Sequence, residues 1–347
     1  MAERENPRSA VLGGCTDQGS QKFDDRISNL GNRRKDTRKF LHWLQHQDVS
    51  NRPDIKLVQS KIAGCANWLV FNNYYTVDQI RLAAAHSCDK HLLCSFCAAR
   101  RGSKYVQRYT ERLAVLLKQK STLKAVMLTL TTVNGDDLEE RFHHFMGSLK
   151  KLLMKRRDAV RGKSATELEK AVAGVYSVEV TNKGKGWHVH LHAVLLLDDW
   201  IDRVELSKEW QAITRDGSKI LDVRQLAKGA DALDKHGEVS PKLVEAFAEV
   251  FKYALKFSDL DHSDRLHAWE TMRGKRLVGS WGDFRGVKVP DGVTDDLLPD
   301  LPYIRMLYRF SGKAYDLVET VLTSDKAITG TLKPAWGAPA PFTGNSL

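Results

Sequence analysis

No stretch of the chain reaches the roughly 18 consecutive apolar residues that a membrane helix needs. The first residues, Met-Ala-Glu-Arg-Glu-Asn-Pro, also lack the basic-then-apolar order of a secretory signal. A membrane partner is thereby excluded from the expectation, and a cytoplasmic protein is expected. Cysteine is scarce, five in 347 residues: Cys15, Cys65, Cys88, Cys94 and Cys97. Without a secretion signal, so few thiols do not suggest a disulfide framework, which leaves metal binding or buried free thiols. Acidic side chains are outnumbered, 43 against 54 Lys and Arg, for a formal net charge of +11. That balance suits a polyanionic partner.

What is present is concentrated in a few places. Residues 88–125 carry nine Lys or Arg against Asp89 and Glu111, and residues 141–163 carry eight against Asp158 alone. These runs flank the apolar stretch 125–131, so the charge lies beside expected core elements; a solvated helix face explains either run equally well. The length suggests about two domains. Residues 1–60 read as a mobile N-terminal arm, to about 38, and then a helix. A strand is expected at 125–132, a helix at 137–157, a strand at 174–181, a helix at 202–212 and a strand at 219–225. Ser240-Pro241 opens a helix over 241–257, with Ser as N-cap and Pro at the first position. Residues 286–347 form a C-terminal extension whose tail, after about 330, reads as disordered.

Cys94-Ser-Phe-Cys97 has the spacing by which two thiolates grip one tetrahedral zinc, with Cys88 six residues upstream. Cys65 is the natural fourth ligand, and His86 and His91 are substitutes for it. The segment 61–120 is therefore expected to bind a structural zinc. Arg100, Arg101 and Lys104 follow directly on a helix that the zinc would orient toward phosphates.

Residues 187–192 read Trp-His-Val-His-Leu-His. Side chains alternate along a strand, so His188, His190 and His192 share one face and can converge on one divalent ion. Solvent-facing histidines are the plainer alternative. The nearest carboxylate is Glu179 on the preceding strand. A five-residue hairpin loop would put it opposite Val189, on the wrong face; a four- or six-residue loop, or one bulge, would put it beside His190. On the 241–257 helix, Glu249, Tyr253 and Lys256 share a face at spacings of four and three.

These separated features together resemble the plasmid rolling-circle replication initiators of the HUH endonuclease superfamily. The features are the four cysteines, the Leu128–Thr131 strand, Glu179 with Thr181, the His190/His192 pair, and Lys252-Tyr253-x-x-Lys256. The chain departs from the family pattern at Ser95 and Val189, where proline is usual. The resemblance implies an α+β fold, with a central antiparallel sheet flanked by helices over 121–285 and a cysteine-rich zinc-binding segment before it. It implies that Tyr253 nicks single-stranded or hairpin origin DNA and that a 5′-phosphotyrosyl link and a free 3′-OH result. Mg2+ or Mn2+ would sit on His190 and His192, with Glu179 or His188 completing the set. Lys256 would stabilise the phenolate, Glu249 would activate water late, Lys252 would contact DNA, and a host helicase and polymerase would be partners. The rivals are a zinc-stabilised DNA-binding regulator without catalysis and a mobilisation relaxase or transposase of the same superfamily.

Overall fold

The computed structural model describes residues 17–218, 221–252 and 257–323. Within these the chain is α+β, with two antiparallel sheets. The five-stranded sheet has the order β6-β3-β5-β4-β7. Its strands are β3 Lys124–Thr131, β4 Ala171–Asn182, β5 Trp187–Leu197, β6 Leu221–Lys228 and β7 Val278–Gly282. The four-stranded sheet has the order β2-β1-β8-β9. It is built from β1 Trp68–Tyr74, β2 Gln79–Ala85, β8 Tyr303–Phe310 and β9 Tyr315–Thr323. The helices are α1 Asp17–Gln45, α2 Pro53–Gly64, α3 Ser95–Gln119, α4 Leu138–Ala159, α5 Arg203–Thr214, α6 Pro241–Val250 and α7 His262–Met272. Among the described residues no helix is long and apolar enough to cross a membrane.

The five-stranded sheet is covered on both faces, and strand alternation sorts its residues between them. On one face Val126, Leu128 and Leu130 of β3, Val178 and Val180 of β4, and Val189, Leu191 and Leu195 of β5 pack with Phe142, Phe145 and Leu149 of α4 and Trp210 of α5. On the other, Met127, Val175, Val194 and Leu196 lie with Tyr109 and Leu113 of α3 and Leu243, Phe247 and Val250 of α6. This second apolar patch covers only part of its face. The rest of that face carries the histidines of β5.

Three expectations change. Residues 17–38 are not an arm but most of α1. Its buried positions, Phe23, Ile27, Leu30, Arg34, Thr37, Leu41 and Leu44, recur at alternating intervals of four and three. Arg34 and Thr37 break the apolar run at the centre of that stripe, so hydrophobic periodicity was not visible there. The second correction concerns the segment after 286, part of which is sheet: β8 lies between β1 and β9. Third, helix α6 ends at Val250, short of 257. The segment 253–256, the tail after 330 and Cys15 lie outside the described residues.

The sheet depends on the layer beneath β5. Phe145 is fully buried and meets Trp210 edge-on at 5.9 Å. Phe145→Ala is expected to cost about 3–5 kcal/mol, measured as a lower urea midpoint with an unchanged m-value.

Candidate metal centres and their surroundings

The cysteine cluster forms where α1, the end of α2 and the start of α3 meet. Cys65, Cys88, Cys94 and Cys97 are all buried and lie within ligand distance of one another. Their sulfurs are 3.5–3.6 Å apart along Cys65–Cys94, Cys65–Cys97 and Cys88–Cys97. Four thiolates at about 2.3 Å from a tetrahedral zinc would sit about 3.8 Å apart, so the set fits that ion with little adjustment. The fourth position is thus Cys65, and neither His86 nor His91 belongs to the cluster.

The charges around the cluster favour thiolates. Arg34 is buried beside it and donates to the carbonyls of Ile62 and Ala63 and to Asn67 Oδ1, with no carboxylate among these partners. Arg265 of α7 is also buried; it pairs with Asp36 and donates to the Leu93 carbonyl and to Ser95 Oγ. Four thiolates around one zinc would leave a doubly negative centre; Arg34 stands beside it with no carboxylate among its hydrogen-bond partners, whereas Arg265 is already paired with Asp36. Thr37 completes the surround. Its Oγ1 accepts from the Ser95 amide, an N–H in the first turn of α3 that has no partner within its own helix, and lies 3.7 Å from Cys94 Sγ. No sequence signal singled out Arg34, Thr37 or Arg265.

The second centre is on β4 and β5. The loop between them is residues 183–186, four residues long, and the register pairs Glu179 with His190, Ser177 with His192 and Thr181 with His188. The open question of register is answered: Glu179 shares the histidine face. Glu179, His190 and His192 offer ligand atoms within 4.8 Å of one another. Glu179 is fully buried, Oε2 lies 3.3 Å from His190 Nε2, and neither carboxylate oxygen accepts a hydrogen bond. A carboxylate taken out of water without donors costs several kcal/mol unless a cation compensates it. One carboxylate and two imidazoles are a donor set that Mn2+ and, less readily, Mg2+ accept.

His188 stands apart. Its Nδ1 donates to Asn134 Oδ1 at 2.7 Å, and its ring stacks on His190 at 4.9 Å. Burial, with His190 and Lys183 nearby, holds its pKa down to about 4. It is therefore uncharged at neutral pH and lies beside the cluster rather than in it. On the other flank Thr129, opposite His192 in the β3–β5 register, places Oγ1 3.1 Å from His192 Nδ1. Donation from that nitrogen leaves the Nε2 lone pair to act as a ligand and fixes the ring. The Leu-Thr-Leu-Thr strand was noticed in the sequence, but the role of Thr129 needed the register.

Helix α6 ends over this centre. Ser177, buried next to Glu179 on the same strand face, donates from Oγ to the carbonyl of Val250. At Gly102 of α3, a Cβ would lie 2.9 Å from the carbonyl oxygen of Phe251, so glycine permits α3 to approach there. Glu249 pairs with Lys252 at 2.9 Å. Tyr253 and Lys256 lie outside the described residues. Two of the residues expected to meet DNA do something else. Arg100 is buried, pairs with Asp295 and donates to the Val293 carbonyl; Lys104 is buried against the Asp291 carbonyl. They hold the 291–295 segment on α3. Arg101 packs over the Tyr105 ring at 5.5 Å, and Lys252 remains exposed.

Comparison with known proteins now bears on these centres. A protein-family profile described as "Replication protein" matches residues 79–297, well over half of the chain. The matched region contains Glu179, His190, His192 and three of the four cysteines, but not Cys65, β8 or β9. The chain is similar to "Protein rep" of Streptococcus pneumoniae serotype 2 (strain D39 / NCTC 7466), 24% identical over 226 residues, which cover 60% of this chain and 64% of that protein. It is also similar to "Protein rep" of Lentilactobacillus hilgardii, 26% identical over 233 residues, which cover 60% and 68%. The chain thus spans less than two thirds of the pneumococcal relative. No solved structure matches it.

Two outcomes are expected. Cys97→Ser should abolish the four-sulfur absorption of the cobalt-loaded protein and lower the melting temperature, since a structural metal contributes directly to folding. Thr129→Val should weaken Mn2+ binding about 10–100-fold, read by calorimetry, with the melting temperature of the metal-free protein little changed.

Proposed function

The chain belongs to this replication-protein family, and on that premise we propose that it is a plasmid replication initiator of the HUH endonuclease type. In this reading it nicks single-stranded origin DNA through Tyr253. The observation that carries the reading is the buried Glu179–His190–His192 cluster, whose carboxylate has no hydrogen-bond donor, set beneath the end of α6, the helix that precedes Lys252-Tyr253 in the sequence. A divalent ion held by these three residues would polarise the scissile phosphate.

The chain's own residues account for the remaining chemistry. The Tyr253 oxygen bonds to phosphorus, the bond to the 3′ oxygen breaks, and that oxygen takes up a proton as the free 3′-OH. The phosphate stays on the tyrosine as a 5′-phosphotyrosyl ester, so bond energy is conserved for rejoining. A phenol of pKa about 10 needs help at neutral pH, and Lys256, three residues on, supplies a positive charge for the phenolate. Glu249, one turn before the tyrosine, is the base that removes a proton from water when the ester is finally hydrolysed. It pairs with Lys252. The free 3′-OH primes rolling-circle synthesis by a host polymerase after a host helicase opens the duplex. The cysteine cluster supports this site as a structural zinc.

The test uses labelled single-stranded origin DNA with Mn2+ and looks for an SDS-resistant adduct. The wild-type protein is expected to form it, Tyr253→Phe to form none, and Glu179→Gln to nick at least about 100-fold more slowly. An adduct in Tyr253→Phe, or none in the wild type with any strand, would return the protein to the class of zinc-stabilised DNA-binding regulators.

A further inference from the structure

The hairpin loop between β4 and β5, Lys183-Gly184-Lys185-Gly186, has no part in the chemistry described so far. Its backbone is pinned from several sides. Asn134 donates its side-chain amide to the Lys185 carbonyl at 3.1 Å while its Oδ1 accepts from His188. Gly135 and Trp187 exchange two backbone hydrogen bonds, 3.2 and 2.7 Å. Asn182 accepts from the Gly184 amide at 3.3 Å and donates to Asp264 at 2.9 Å. Gly184 and Gly186 adopt φ of 76° and 78°, and a Cβ on Gly186 would lie 2.8 Å from the Gly135 oxygen. Only glycine meets both conditions at Gly186.

On this fixed backbone Lys183 and Lys185 are exposed, and neither ammonium has a hydrogen-bond or ion-pair partner among the described residues. Gly186 is four residues from His190 along β5, a distance of about 13 Å at ~3.3 Å per residue. The charges thus stand a few nucleotides from any phosphate at the histidine cluster, at the hairpin end of the strand that carries it. A rigid loop presents them without the ordering cost that a mobile loop would add on binding. Asn134 joins the loop to His188, so the lysines and the histidine strand are held as one body.

We propose that Lys183 and Lys185 bind phosphates of the single-stranded DNA that leads into the metal centre. The identity of the ligand rests on the function proposed above. Here the contact is electrostatic and indifferent to sequence; it seats the strand rather than reading it.

The experiment measures anisotropy of a fluorescein-labelled single-stranded origin oligonucleotide without divalent metal, across a salt series. Each phosphate contact to a single strand contributes about 0.7 to the slope of log affinity against log salt. Lys183→Ala/Lys185→Ala should therefore lower the slope by about 1.4 and weaken binding about 10-fold near 0.15 M salt. Lys150→Ala/Lys151→Ala, on the exposed side of α4, should leave the slope unchanged. A wild-type slope in the loop variant, an equal loss in the α4 variant, or no binding by the wild-type protein would overturn the proposal. Because no cleavage is involved, lysine-dependent binding by a protein that never forms an adduct would sink the nicking reading and leave this contact standing.

Discussion

The β4–β5 register is the constraint on which the rest depends. Glu179 is fully buried, and it lies beside His190 only because four residues close the hairpin. A slip of one residue would carry it to the opposite face, into the apolar layer of Phe142, Phe145 and Trp210. The apolar residues of that layer resist the slip, since Val178, Val180, Val189 and Leu191 would all be displaced from it together. Core packing on one face therefore specifies polar geometry on the other. The same register sets Thr129 against His192 and places Ser177 where it reaches the end of α6.

The cysteine cluster presents a different problem, one of charge. Thiols packed at 3.5–3.6 Å do not by themselves require two buried arginines. A doubly negative zinc–thiolate centre would account for Arg34, which is buried with no carboxylate among its hydrogen-bond partners; Arg265 is offset by Asp36. Arg34 and Arg265 come from helices distant in sequence, α1 and α7, so α1, α3 and α7 converge on the centre. The helix that follows the cysteines has its first turns packed against the protein, and Arg100 and Lys104 lie on that inward side.

Sequence made much of the two clusters legible because each depends on local spacing: Cys94-x-x-Cys97 on one turn, and alternating histidines on one strand. The antiparallel histidine strand and the helices at 138–159 and 203–214 were legible through periodicity. Three things were not. Glu179 could be named but not placed, since a loop length is ambiguous until the turn is seen. Helix α1 was read only at its C-terminal end, from about residue 38; the rest was missed because its buried stripe carries Arg34 and Thr37, polar residues whose partners lie far along the chain. The four-stranded sheet was missed because β1 finds its neighbour β8 more than two hundred residues away, a pairing that local pattern does not encode. Arg100 and Lys104 show the converse error, in which a basic run read as surface proved to be structural.

The two centres are not independent parts. Helix α3 begins at the cysteine cluster with Ser95, and seven residues later Gly102 lies against the Phe251 carbonyl. The residue before it, Val250, is held through its own carbonyl by Ser177, which sits on the same strand face as Glu179. At the end of α6 the Val250 carbonyl is held by Ser177 of the histidine sheet, and the next carbonyl, of Phe251, lies close against Gly102 of α3. Phe251 fills the space between, stacked on Tyr105 at 5.0 Å and packed against Tyr109 at 5.3 Å. The helix that starts at the cysteine cluster and the strand that carries Glu179 therefore both pack on the end of α6, so the two clusters meet at the stretch of chain that precedes Lys252.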